Sequence, residues 1–196
     1  MDRLKQQMEF ILEIDKEKHI NRQTYIADGS RKENDAEHAW HMAIMAILLQ
    51  EYATDAVDIT RTISMILIHD LVEIDAGDTY AYDEEAKKDQ EEREKAAADR
   101  IFGMLPTDQG TRMRELFEEF EKGKTASARF AKALDRIQPM MLNAAAGGKS
   151  WKEHGVSLSQ ILDRNKGTAE DTKQLWEYGF KEYIKPHISE GNIKNE

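Results

Sequence analysis

Apolar residues recur along this chain at intervals of three and four, which is the spacing of helices packed on one side. Leu4, Met8, Ile11 and Leu12 predict a helix over residues 1–16, and residues 17–35 are polar and irregular, with Asp28-Gly29-Ser30 marking a turn. Asn34 followed three places later by Glu37 has the form of a capping box. It opens a predicted helix to about Tyr52, with His38, Met42, Met45, Leu49 and Tyr52 on one face. A connector through Asp55 leads to an apolar helix at about 57–75, ending near Gly77. Asp83 through Arg100 is dense in charge, with Glu84–Lys88 and Glu91–Lys95 at i,i+4, the signature of a solvated helix face. Pro106-Thr107 opens a helix to about Phe120 that Gly123 closes, and Thr125 opens another with Phe130, Leu134, Ile137 and Met141 as its stripe. Pro139 has no N–H to offer the Asp135 carbonyl, which predicts a kink there. Gly147-Gly148 breaks the pattern; a short helix near 157–163 and a longer one from about Gly167 to Tyr183, stopped by Pro186, complete it. With no strand-like alternation, repeat or linker, residues 1–196 read as a single all-α domain.

Composition narrows the partners. Apolar residues make up 40% and charged residues 34%, the balance of a globular chain with a charged surface. A net charge of -10 argues against a nucleic-acid polymer or an anionic membrane as partner, although local cations can still favour a small anion inside a pocket. The chain has no cysteine, so thiolate zinc sites and disulfides are excluded. Met1-Asp2-Arg3-Leu4 begins no apolar leader, no stretch reaches the ~20 apolar residues of a membrane span, and a cytoplasmic location is expected.

The chemistry concentrates at His69-Asp70, which interrupts the apolar run from Ile63 to Val72. Burying an imidazole and a carboxylate there costs roughly 2–7 kcal/mol per uncompensated polar group, and more for a charge. A divalent cation compensates both, because it takes neutral imidazole nitrogen together with carboxylate oxygen. His38 lies on an apolar helix face and Asp135 on another. Each has a plainer reading, a hydrogen-bonded core histidine and a salt bridge to Arg136, but together the four supply two imidazoles and two carboxylates. Glu73 follows His69 by four residues and Asp70 by three, within reach of the same site or of His69 itself. Asp78 follows Gly77, where it could turn back over the site or cap a turn. Arg22 stands in the polar stretch, where a surface arginine is the ordinary reading. His41 lies three residues from His38 and could be a further ligand or pack at the helix flank.

The chain resembles the HD-domain metal-dependent phosphohydrolases in its order of His38, His69-Asp70 and Asp135, over roughly residues 15–145. The resemblance is to the 5'-deoxynucleotidase branch, through Ile20-Asn21-Arg22, Glu33 to His38, His69 to Glu73, Ala76-Gly77-Asp78 and Ala133-Leu134-Asp135. It implies a helical bundle with helices of about 150–188 packed on the core. It makes His38, His69, Asp70 and Asp135 ligands of one divalent transition metal (Mn, Co, Zn or Fe). Glu73 becomes a general acid/base, Asp78 a residue that orients substrate or water, and Arg22 a phosphate contact. The implied reaction removes phosphate from nucleoside 5'-monophosphates, and self-association as a homodimer is expected. The resembled bacterial enzymes carry tryptophan after that arginine where this chain has Gln23, so weaker selection for deoxyribose is expected. Residues 71–134 contain no histidine, which disfavours a histidine-built second metal site but leaves room for a weak second cation at Glu73 and Asp78. Hydrolysis of another nucleotide class, a triphosphate or alarmone, and a non-catalytic nucleotide sensor are the alternatives.

Overall fold

The computed structural model describes residues 2–83, 85, 86 and 88–196; the Glu84–Lys88 pairing lies outside the described residues. Helix α1 (Arg3–Glu13) starts at Asp2, whose side chain accepts from Leu4 N–H. Only Phe10 of α1 is buried, whereas Leu4, Met8, Ile11 and Leu12 all face solvent. A 3₁₀ turn, Ile14–His19, leads into an antiparallel hairpin of β1 (Asn21–Tyr25) and β2 (Lys32–Asn34). This hairpin replaces the irregular segment expected from the sequence. Three-residue β2 carries too little alternation to register as a strand, while the turn at Gly29 (φ +69°) stands where Asp28-Gly29-Ser30 placed it.

Helix α2 (Asp35–Leu49) opens with the full capping box: Asn34 accepts from Glu37 N–H and Glu37 accepts from Asn34 N–H. Its inner face buries His38, Met42 and Met45, and a 3₁₀ turn finishes it at Tyr52. Helix α3 (Ile59–Ile66) stops well short of the expected 57–75. The His69 ring explains the break: its Nδ1–H donates to the Ile66 carbonyl at 2.7 Å, taking the acceptor that a continuing helix would give to residue 70. The chain instead runs through tight i→i+3 turns into the short helix α4 (Glu73–Ala76), which Gly77 ends at φ +75°.

Helices α5 (Gln90–Gly103) and α6 (Thr107–Lys122) follow, α6 closing at Gly123 in the left-handed conformation. Helix α7 (Ala126–Ala145) is capped by Thr125 and contains Pro139 within its span. It packs on α2, α3, α6 and β1, which sets it at the centre of the bundle. Gly147 and Gly148 then turn the chain into α8 (Lys149–His154) and α9 (Leu158–Arg164). The long helix expected from Gly167 to Tyr183 is divided into α10 (Lys166–Asp171) and α11 (Lys173–Gly179) by a bend at Thr172 (φ -147°, ψ 58°). A π turn at Phe180–Ile184 leads to α12 (Lys185–Ser189), and Pro186 opens that helix instead of stopping one, because the first turn has no use for its missing N–H. One hydrophobic cluster runs from Phe10 through α2, α3, α5, α6 and α7 to Ile184 and Ile193. Among the described residues no helix is long and apolar enough to cross a membrane.

Candidate metal centre and its cavity

Three helices bring the donors together. His38 comes from the second turn of α2, His69 from the turns after α3, and Asp135 from the middle of α7. One ligand atom from each lies within 4.8 Å of the other two. His38 is wholly buried. Its Nδ1–H donates to Gln138 Oε1 at 2.9 Å, which leaves the Nε2 lone pair facing Asp135 Oδ1 at 3.2 Å. Gln138 is fixed in that orientation because its amide N–H groups donate to Glu33 (2.6 Å) and to His41 Nδ1 (3.2 Å). His41 is therefore a partner of Gln138. His69 Nε2 points at the same centre, 3.1 Å from Asp70 Oδ2 and 3.8 Å from Asp135 Oδ1, and is buried without a hydrogen-bond partner.

Lone pairs that face carboxylate oxygens at these distances need positive charge between them. Burial alone pulls His69 down, yet Asp70 and Asp135 outweigh it and hold the ring up at about 9. Asp135 is the reciprocal case: burial pushes it up, but His38 and His69 hold it well below the usual carboxylate range. A divalent cation meets the same demand, and the donor set of two neutral imidazoles with carboxylate oxygens fits a borderline transition metal.

The surrounding charge favours a cation as well. Arg22 on β1 donates from Nη1 to Asp70 Oδ2 (2.7 Å) and Asp35 Oδ1 (3.1 Å), with Nη2 3.8 Å from Asp135. That single guanidinium faces a group of acids. Burial, then Asp70, lifts Asp35 to about 7 despite Arg22. Burial and the charges of Asp70, Asp35 and Asp78 raise Glu73 well above the ordinary range. Asp78 is raised too, by burial, with Arg22 opposing. The break after α3 sets this geometry. Glu73 N–H bonds the Asp70 carbonyl in an i→i+3 turn, a spacing at which side chains eclipse, so the two do not lie on a continuous α-helix face as expected. The loop bearing Asp78 is held by Arg93 of α5, which donates to the Ala76 carbonyl and to Thr79 Oγ1.

A cavity of about 250 Å³ opens on this group. It is lined by Arg22, Gln23, His69, Asp70, Glu73, Asp78 and Asp135; of the residues singled out in the sequence, His38 and His41 do not line it, and buried His38 reaches the group through Asp135. Gln23 accepts from Lys32 across the hairpin at the cavity wall. Glu33, Asp35 and Gln138 carried no sequence reading of their own. The available signals were polar residues flanking Asn34 and a glutamine one turn after Asp135 on the same face.

The HD domain family model matches residues 14–176. The chain is 48% identical to a protein of Magnetospirillum magnetotacticum MS-1 whose crystal structure is described as a predicted metal-dependent phosphohydrolase, covering 97% of this chain and 95% of that one at a TM-score of 0.92. Among curated proteins it is similar to 5'-deoxynucleotidase HDDC2 of Xenopus laevis (34% identical over 58% of this chain) and of Homo sapiens (33% over 59%). The matches span 55% and 54% of those proteins, so the chain covers about half the length of the curated relatives it matches. A match over this much of the chain, including both histidines and Asp135, makes the protein a member of the HD domain family.

Proposed function

We propose that this protein is a metal-dependent phosphohydrolase that removes phosphate from nucleoside 5'-monophosphates, deoxynucleotides among them. The observation that carries the reading is the convergence of His38, His69 and Asp135, with Asp70 beside them, at a cavity that His69, Asp70 and Asp135 line. Those four residues would hold one divalent cation, which supplies polarisation of the phosphoryl group and of water. The names of the Magnetospirillum structure and of the HDDC2 proteins support the same chemistry.

Hydrolysis joins a water oxygen to phosphorus and breaks the bond to the 5' oxygen, whose leaving alkoxide needs a proton. Glu73 is suited to deliver it, since burial and three neighbouring carboxyls keep its own proton on. Asp78 and Gln23 line the same cavity, and this reading has Asp78 orient substrate or water and Gln23 read the sugar edge of the nucleotide. The reading takes residues 1–196 as one HD domain working as a homodimer. The apolar side chains that α1 and α2 leave exposed, including Met8, Ile11, Trp40, Ile44 and Ile47, support self-association.

Phosphate release measured over deoxy- and ribonucleoside monophosphates with Mn²⁺, Co²⁺, Zn²⁺ and Fe²⁺ tests the proposal. Turnover that needs metal and is lost, together with bound metal, in His69→Ala is expected. Turnover confined to nucleoside triphosphates or alarmones would move the substrate class.

A further inference from the structure

Asp135 stands between two groups of opposite character. Its Oδ1 faces His38 and His69, while its Oδ2 lies 4.0 Å from Arg164 Nη2. Arg164 ends α9, lines the cavity and keeps a third of its side chain exposed. That distant carboxylate oxygen is its one ion-pair partner among the described residues. Arg136, next to Asp135 on α7, lines the same cavity, and its guanidinium makes no hydrogen bond or close ion pair among the described residues. Arg136 is half-buried, and both guanidinium-bearing side chains line the one cavity. Two planar donor forks of like charge, with their N–H groups unspent and one wall in common, make a site that an anion would complete. Arg22 lines the same cavity and is held differently, with Nη2 3.8 Å from Asp135. Its Nη1 is committed to Asp70 and Asp35, its Nε is buried, and only 12% of its side chain is exposed.

We infer that Arg164, with Arg136 beside it, grips the phosphate in this site, taking oxygens on the edge turned away from the His38, His69 and Asp135 donors. The inference rests on the phosphohydrolase reading for the identity of the substrate, though the anion site itself does not. A phosphate approaching the acids around Glu73 would be repelled without cations on its outer side. A guanidinium that meets two phosphate oxygens at once provides both charge and orientation. The C-terminal helices would then take part in the chemistry, with α9 contributing a group that touches the substrate.

The test uses inorganic phosphate with the metal-loaded full chain, by calorimetry, alongside kinetics on dAMP and p-nitrophenyl phosphate. Arg164→Ala is expected to weaken phosphate binding and to lower kcat/KM on both substrates by about 10- to 100-fold, the range for one charge-assisted contact. Metal content by mass spectrometry should be unchanged, and Arg164→Lys should restore part of the loss by returning the charge without the fork. Arg136→Ala, inside α7, should act in the same direction. A folded Arg164→Ala protein with wild-type phosphate affinity overturns the inference, because a role confined to the end of α9 would leave that affinity alone. So does a loss seen with dAMP and absent with p-nitrophenyl phosphate, which would assign Arg164 to the nucleoside, or a wild type that binds no phosphate. Phosphate binding that depends on Arg164 in a protein that hydrolyses no nucleotide would sustain the inference and remove the function proposed above.

Discussion

Glu73 faces the charges of Asp70, Asp35 and Asp78 in a buried corner, and the proposed reaction gives it the proton chemistry and not a place in the ligand group. Glu73→Gln keeps the shape and removes the titratable proton, so kcat should fall on the order of 10²–10⁴-fold with metal content intact. Loss of metal in step with activity would place Glu73 among the ligands. Glu17 gives a separate signal, since its Oε1 is buried without a partner, and burial, then Asp70, lifts it to about 7 from 4.5. A carboxyl raised on folding binds more protons in the native state between those values, so its contribution favours folding at low pH and is lost as pH rises through 7. In metal-free protein Glu17→Gln should therefore gain thermal stability relative to wild type between pH 5 and pH 8, by up to a few kcal/mol. A constant difference across that range would show that Glu17 ionises freely. Neither Glu17 nor Gln138 was legible as part of the site. Glu17 carries no spacing that ties it to Asp70, and the spacing of Gln138, one turn after Asp135, marks a shared helix face without naming His38 and Glu33 as its partners.

Among the elements, the ends of helices were legible and their interiors less so. Asn34 with Glu37, Thr125, Gly123 and the Gly147-Gly148 pair act where their local chemistry placed them, because caps and left-handed turns are decided within a few residues. The break of α3 at His69 was not legible, since an apolar run looks the same whether it continues as a helix or tightens into 3₁₀ turns. That break turns Asp70 and Glu73 toward one cavity. Gly148 shows an element end under tertiary constraint, with φ +71° and a position where a Cβ would stand 2.8 Å from Asn192 Cβ and 2.9 Å from His187 Nδ1. Gly148→Ala should cost about 1–3 kcal/mol, lowering Tm by roughly 3–10 °C, while bound metal is unchanged. An unaltered Tm would mean that the chain from Asn192 onward yields without cost.

For the whole molecule, α1 and α2 leave apolar side chains in solvent: Leu12 is 75% exposed, Leu48 65% and Trp40 64%. If these faces bury one another between two copies, Ile47→Glu should shift the chain from dimer to monomer in light scattering, with its circular dichroism retained. A dimer that withstands this charge would place the interface elsewhere. Sequence by itself determined the helical class, most helix starts and His69-Asp70 as the centre of the chemistry, while the family resemblance grouped His38, Glu73, Asp78 and Asp135 with that pair. Periodicity, caps and a polar pair set in an apolar run are local properties that survive without coordinates. Only the tertiary structure decided which groups face which. It spent Arg22 on Asp70 and Asp35, set Gln138 between His38 and Glu33, and brought Arg164 from a late helix to the far side of Asp135. It also turned the stripe of α1 outward, because Phe10 alone of its side chains found the core. These outcomes depend on packing between segments up to a hundred residues apart, and the free energy of burial and charge pairing that selects them has no counterpart in local spacing.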